Sequence, residues 1–182
     1  VAANLALTND YSASNLFHVG GMDWEPNRQA VECLIDLFPF IKQQVPEIAL
    51  SLIGKGTDEL GSNNVSIHTE GFVEDLESHA IKTGILVSPI STGSGVRIKI
   101  LEMMALGIPV ITTSKGAEGI NGEGHKCLVI AETNEEIINA CVNLSQDKTL
   151  RLELGSNAKN YISTYHSPNT VAKQLDEFLQ ST

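Results

Sequence analysis

The chain has 182 residues, 42% of them hydrophobic and 19% charged, with 15 glycines and 6 prolines. These proportions exclude disorder, collagen-like and low-complexity character, and the length suits one domain that buries a full core without staples. Lys+Arg 12 against Asp+Glu 22 gives a net charge of −10, which excludes general binding to a nucleic-acid polymer or a polybasic membrane contact; an anionic ligand would need a locally positive site.

Residues 1–14 are polar with small apolar residues and read as a linker or lead-in, so the domain is expected over 15–182. Leu16 to Val19 is a short apolar run closed by Gly20 and Gly21, which predicts a strand and a tight turn. A helix opens at Pro26-Asn27, with Asn27 as N-cap and Ala30, Leu34, Leu37, Phe38 and Ile41 on one face; Pro46 marks its end. Ile48 to Ile53 is the second strand, followed by the turn Gly54-Lys55-Gly56, and Val65 to Ile67 is the third. A short helix over Asp75 to Lys82 leads to a fourth strand over Ile85 to Val87. The loop Ser91-Thr92-Gly93-Ser94-Gly95 then enters a helix over Val96 to Leu106, with Gly107 placed to cap its C-terminus. Pro109 to Thr112 and Cys127 to Ile130 are the fifth and sixth strands. A helical C-terminal tail follows, with capping-box spacing at Thr133 and Glu136 and helices at 134–145, 147–163 and 168–180.

Six short apolar strands separated mostly by helices predict an α/β fold, a Rossmann-like doubly wound parallel sheet. Ligands of such folds bind outside the carboxyl ends of the strands, so the loops that matter are 20–26, 54–61, 69–74, 89–96 and 113–124. Cys33, Cys127 and Cys141 form no CxxC pair and read as reduced core thiols. No apolar run approaches the ~20 residues of a membrane helix and no leader pattern opens the chain, so a cytoplasmic protein is expected. The five histidines are scattered and read as surface or satisfied core residues.

The usual fingerprints fail. Gly54-Lys55-Gly56 and Gly93-Ser94-Gly95 both begin like GxGxxG, but Glu59 and Ile98 hold the third position, and no GxxxxGK[ST] exists. No HExxH, GxSxG or metal-ligand spacing is present. The informative stretch is Val87 to Thr113. There a strand ends, a Gly/Ser loop turns and a helix begins, offering unpaired N–H groups and a partial positive charge. Gly93 and Gly95 leave that helix start open to an anion, and Arg97 and Lys99 add formal charge. Glu102 lies in a helix apolar nearly all round, so it is expected to be buried, and either bonded to ligand hydroxyls or paired with Lys99.

The run from Pro89 to Thr113 with Gly116-Ala117-Glu118-Gly119 resembles the donor-binding signature of retaining glycosyltransferases of family 4, which have the GT-B fold of two Rossmann-like domains. Phe17 to Gly20 with Pro26-Asn27, Leu52 to Gly56, Gly71 to Leu76 and Leu154 to Ala158 share in the resemblance. It implies that this chain is one half of a GT-B fold, the C-terminal domain that binds a nucleoside-diphosphate sugar. The enzyme would be of hexosyltransferase type, and its acceptor a saccharide or lipid-linked sugar. By the same resemblance, Gly93, Ser94, Gly95 and Val96 hold the diphosphate, approached by Gly20 and Gly21. The base is gripped at Gly71, Phe72, Val73 and Leu76, and Glu102 binds the donor ribose. Glu102 and Ser94 are the catalytic candidates. No metal or cofactor is implied, because the helix dipole and the cations serve instead.

Two departures stand out. Many members have two glutamates eight residues apart, and Ser94 occupies the place of the first, which touches the transferred sugar. Many also carry an Arg after the first-strand glycine and a Lys a few residues on, where this chain has Gly21 and the segment Trp24 to Asn27; Arg97 and Lys99 are the expected substitutes. A complete enzyme needs about twice this length. The N-terminal acceptor domain is therefore expected to be missing, the chain alone to be inactive, and any inner-membrane association to be peripheral through that missing domain. The rival readings are a dinucleotide-binding oxidoreductase domain, which lacks its glycines here, and a receiver-like interaction domain, which lacks its acidic cluster.

Overall fold

The structure, a computed structural model, describes residues 13–61, 64–120, 124, 126–167 and 170. All but two residues of the predicted lead-in, and all but Thr170 of the predicted last helix, lie outside them. The described elements are β1 (Asn15–Val19), α1 (Glu25–Gln44), β2 (Leu50–Ile53), β3 (Ile67–Gly71), α2 (Leu76–Thr83), β4 (Gly84–Ser88), α3 (Ile98–Leu106), β5 (Val110–Thr112), β6 (Val129–Ile130), α4 (Asn134–Gln146) and α5 (Lys148–Tyr165), with a 3-10 turn at Thr57–Glu59.

The six strands pair in parallel in the order β3-β2-β1-β4-β5-β6. This is the doubly wound, Rossmann-like arrangement. Strand alternation sends side chains to two cores. Leu16, Leu50, Leu52, Ile85 and Val87 pack with α1 and α4 on one face. Phe17, Ile53, Leu86 and Val110 pack with residues of α2, α3 and α5 on the other. Helices therefore cover both faces, which is why the central strands read as nearly continuous apolar runs, interrupted at His18 and Ser51.

Local chemistry sets most boundaries. Thr133 and Glu136 form the complete capping box, and Asp75 accepts from the Ser78 N–H to start α2. Gly107 closes α3, its N–H reaching the carbonyls of Met103 and Met104. Several expectations need correction. The second and sixth strands begin two residues later than expected, at Leu50 and Val129. The third strand runs over Ile67–Gly71 rather than Val65 to Ile67; Val65 is 91% exposed, and the strand's polar residues hid it because it is the sheet's edge. The helix after the Gly/Ser loop begins two residues late, at Ile98, because Val96 and Arg97 precede its first turn and Arg97 is extended. Asn27 is not the cap of α1: Trp24 holds that position, and the Asn27 side chain is used elsewhere.

Candidate functional site

Strand order reverses between β1 and β4, and a cavity of about 660 Å³ opens there, at the carboxyl ends of the strands. Its apolar wall comes from Val19, Ile53, Leu86, Ile90 and Ile100. Lys55, Arg97, Lys99 and Glu74 are its charged lining. The balance is locally positive in a chain of net charge −10, which is what an anionic ligand needs.

The floor is built by close backbone approach. The Gly20 N–H bonds the Ile53 carbonyl at 2.9 Å, and the Gly54 N–H bonds the Gly71 carbonyl at 2.7 Å. Gly54 has φ +135°, and a Cβ there would stand 2.2 Å from the Gly20 oxygen. Thr57, fully buried, accepts from the Gly71 N–H at 3.0 Å and lies 2.9 Å from the Gly54 carbonyl. Asn27 donates to the Gly21 carbonyl at 3.0 Å, and a Cβ on Gly20 would collide with its amide at 2.3 Å. The turns after β1, β2 and β3 are thus tied into one surface.

The Gly/Ser loop is held from within. Arg97 donates to the carbonyls of Ser94 (2.8 Å), Gly95 (2.9 Å) and Thr92 (3.2 Å), and its guanidinium lies 5.1 Å from the Trp24 ring centroid. Its Nε is buried and has no partner among the described residues. Gly93 adopts φ +90° against this pair, and a Cβ there would lie 3.0 Å from Trp24 and 3.1 Å from Arg97. Gly93, Ser94 and Gly95 are exposed. A loop with so little side chain needs this clamp to keep one shape.

Glu102 differs from expectation. It is 48% exposed and bonds Lys99, itself 54% exposed, at 2.9 Å. Only Ile100, Met103 and Met104 of α3 are buried, so its other faces, Ile98 included, meet solvent. The carboxylate is therefore neither buried nor costly.

Of the expected site residues, Gly20, Gly21, Phe72, Val73, Leu76, Val96, Arg97 and Lys99 line the cavity. Gly71, Gly93, Ser94, Gly95 and Glu102 do not. Gly71 is bonded beneath the cavity, while Gly93 and Ser94 belong to the Arg97 clamp. Phe72 is 77% exposed, a large ring left uncovered beside the cavity. Sequence reasoning missed Trp24, Asn27, Ser88 and the placing of Lys55. A Trp before a helix-opening Pro and a Lys between two glycines were the available signals. His18 also departs from its reading as a satisfied histidine. It is buried, its Nδ1–H donates to the Val87 carbonyl at 2.9 Å, and its Nε2 has no partner among the described residues. Burial holds its pKa below the ordinary value, against the weaker opposite effect of the Val87 bond.

Among the described residues, no group of His, Cys, Asp and Glu side chains could hold a metal ion, and no helix is long and apolar enough to cross a membrane.

Comparison with known proteins places this chain in a family. The sequence model of the family "Glycosyl transferases group 1" matches residues 13–147. The "Uncharacterized 44.6 kDa protein in cps region" of Klebsiella pneumoniae is 27% identical over 180 residues, covering 91% of this chain and 46% of that protein. The chain thus spans less than half the length of this relative. Anabaena Alr3699/HepE, solved in complex with UDP, superposes with a TM-score of 0.74 at 20% identity, over 94% of this chain and 50% of that one. The C-terminal domain of a glycosyl transferase group 1 family protein (LpcC) from Francisella tularensis superposes at 0.67 and 20% identity, over 86% of this chain and 88% of that one. WaaG, a glycosyltransferase involved in lipopolysaccharide biosynthesis, superposes at 0.69 and 21% identity, over 84% of this chain and 43% of that one. The family match covers well over half of the chain, and the shared fold agrees with it: this chain belongs to the group 1 glycosyl transferases.

Proposed function

We propose that this domain is the donor-binding half of a retaining, family 4 glycosyltransferase of the GT-B kind. It holds a nucleoside-diphosphate sugar while a second domain presents the acceptor hydroxyl. The observation that carries the reading is the cavity at the strand-order reversal, with its apolar wall and local excess of cations. Its volume of about 660 Å³ lies in the range of small-molecule sites, roughly 300–1,000 Å³. That a fold neighbour was solved with UDP supports the same reading.

In this reading the residues divide the ligand between them. The loop of Gly71, Phe72, Val73 and Leu76 takes the base, with Phe72 offering an aromatic face. Glu102 accepts from the ribose hydroxyls at the rim. Gly20 and Gly21 let the phosphates come close to backbone, and the Gly93–Val96 loop presents its N–H groups to the diphosphate. Ser94 is the residue we assign to the transferred sugar. Arg97 acts mainly by fixing that loop, since its terminal nitrogens already serve three carbonyls. No metal or cofactor enters the scheme, because backbone dipoles and side-chain cations meet the negative charge.

A thermal-shift panel of UDP, GDP, ADP and NAD tests this. A true ligand at 100 times its Kd should stabilise the fold by about 2.7 kcal/mol. One nucleoside diphosphate should stand out, and NAD should not. A panel in which NAD alone stabilises, or nothing does, overturns the reading. Sugar transfer needs both reactants held together, so the 182-residue chain alone should show none.

A further inference from the structure

The cavity carries three cations, and two of them are already engaged. Arg97 has both terminal nitrogens on loop carbonyls and its face on Trp24. Lys99 is bonded to Glu102 at 2.9 Å. Lys55 is different. It is exposed and lines the cavity, and its side chain has no hydrogen bond or ion pair among the described residues, not even with Glu74. Its position is nevertheless well fixed. Its carbonyl accepts the Met22 N–H at 2.9 Å, and Gly54 beside it is packed onto the Gly20 oxygen. The parallel pairing of β1 with β2 therefore sets Lys55 against the Gly20–Gly21 turn.

That turn is where the chain has Gly21 and carries no cation of its own. We propose that Lys55, from the neighbouring strand's turn, is the side chain whose charge meets the diphosphate of the bound nucleotide. An ammonium brings three donors and a point charge on a flexible stem, so it can follow two phosphate groups that backbone N–H groups hold from the other side. The proposal rests on the donor-site reading above and assigns it a residue.

Calorimetric titration tests both separately. UDP, GDP and ADP, each beside its uncharged nucleoside, are titrated into the full chain and into Lys55→Ala and Lys55→Arg. The diphosphate that binds the unaltered chain should weaken about ten-fold with Lys55→Ala, the effect of one lost charge-assisted hydrogen bond, while its nucleoside holds its affinity. Lys55→Arg should restore most of the loss. The melting temperature without ligand should hardly move, since the exposed Lys55 side chain makes no hydrogen bond or ion pair among the described residues. Diphosphate affinity unchanged in Lys55→Ala overturns the proposal while leaving the donor site standing. An equal loss for nucleoside and diphosphate overturns it too, because the side chain would then be shaping the pocket rather than meeting charge. No binding of any of the three diphosphates to the unaltered chain overturns the donor-site reading itself.

Discussion

Replacing Glu102 by glutamine separates a ligand contact from a surface ion pair. Glu102 and Lys99 are bonded at 2.9 Å with side chains 48% and 54% exposed. An exposed pair at i,i+3 on a helix contributes about 0.3–0.5 kcal/mol. In a domain of this size one kcal/mol moves the melting point by about 2–4 °C, so Glu102→Gln should lower it by about 1–2 °C. A carboxylate that accepts from ribose hydroxyls is worth more. Each charged hydrogen bond lost costs about 1.5–3 kcal/mol, a weakening of roughly ten-fold or more. Calorimetric titration of the best-bound nucleoside diphosphate gives the affinity, and a thermal melt of the same sample gives the stability. The expected outcome is a ten-fold loss of affinity with a nearly unmoved melt. Affinity within two-fold of the unaltered chain would refute the ribose role and leave Glu102 as half of a surface pair.

Three further outcomes follow from the geometry. Gly54→Ala places a Cβ 2.2 Å from the Gly20 oxygen at φ +135° and should cost at least about 2 kcal/mol, read as a melt lowered by about 4–8 °C; an unchanged melt would show that the turns are not locked together. Trp24→Ala removes the ring under Arg97, a contact worth about 0.5–1 kcal/mol, and should raise the rate of proteolytic cleavage at 91–95 with little change in the melt; equal rates would show that the clamp is idle. His18 is kept neutral by burial, so the unfolded chain takes up a proton near its ordinary pKa of about 6.5 that the folded chain refuses. The stability tied to His18 is therefore full above that pH and falls as the pH drops below it. Urea titrations of His18→Leu should show a flatter decline over that window, and an identical slope would place the acid sensitivity elsewhere.

Much of the fold was legible because it is written in local terms. Runs such as Ile85 to Val87 are apolar on both faces, which a strand covered by helices on both sides demands. Gly107, Asp75 and the Thr133–Glu136 box end or start helices by bonds made within a few residues. The glycine turns after the first strand and before α3 were likewise visible as motifs. The edge strand Ile67–Gly71 was misplaced because a strand with a partner on one side alone tolerates polar residues, and the apolar signal fades.

What the tertiary structure alone decided concerns meetings between distant segments. Lys55 lies against Gly21 and Trp24 against Arg97 because parallel strands bring the turns at their carboxyl ends side by side. Glu102 was expected to be buried because its helix is apolar almost all round, yet half its side chain meets solvent. Periodicity reports which residues share a face. Whether another element covers that face depends on packing at long range, and here nothing among the described residues covers the outer face of α3. Sequence therefore determined which turns are rich in glycine and which side chains carry charge, and the order of strands in the sheet determined which of them meet around one cavity.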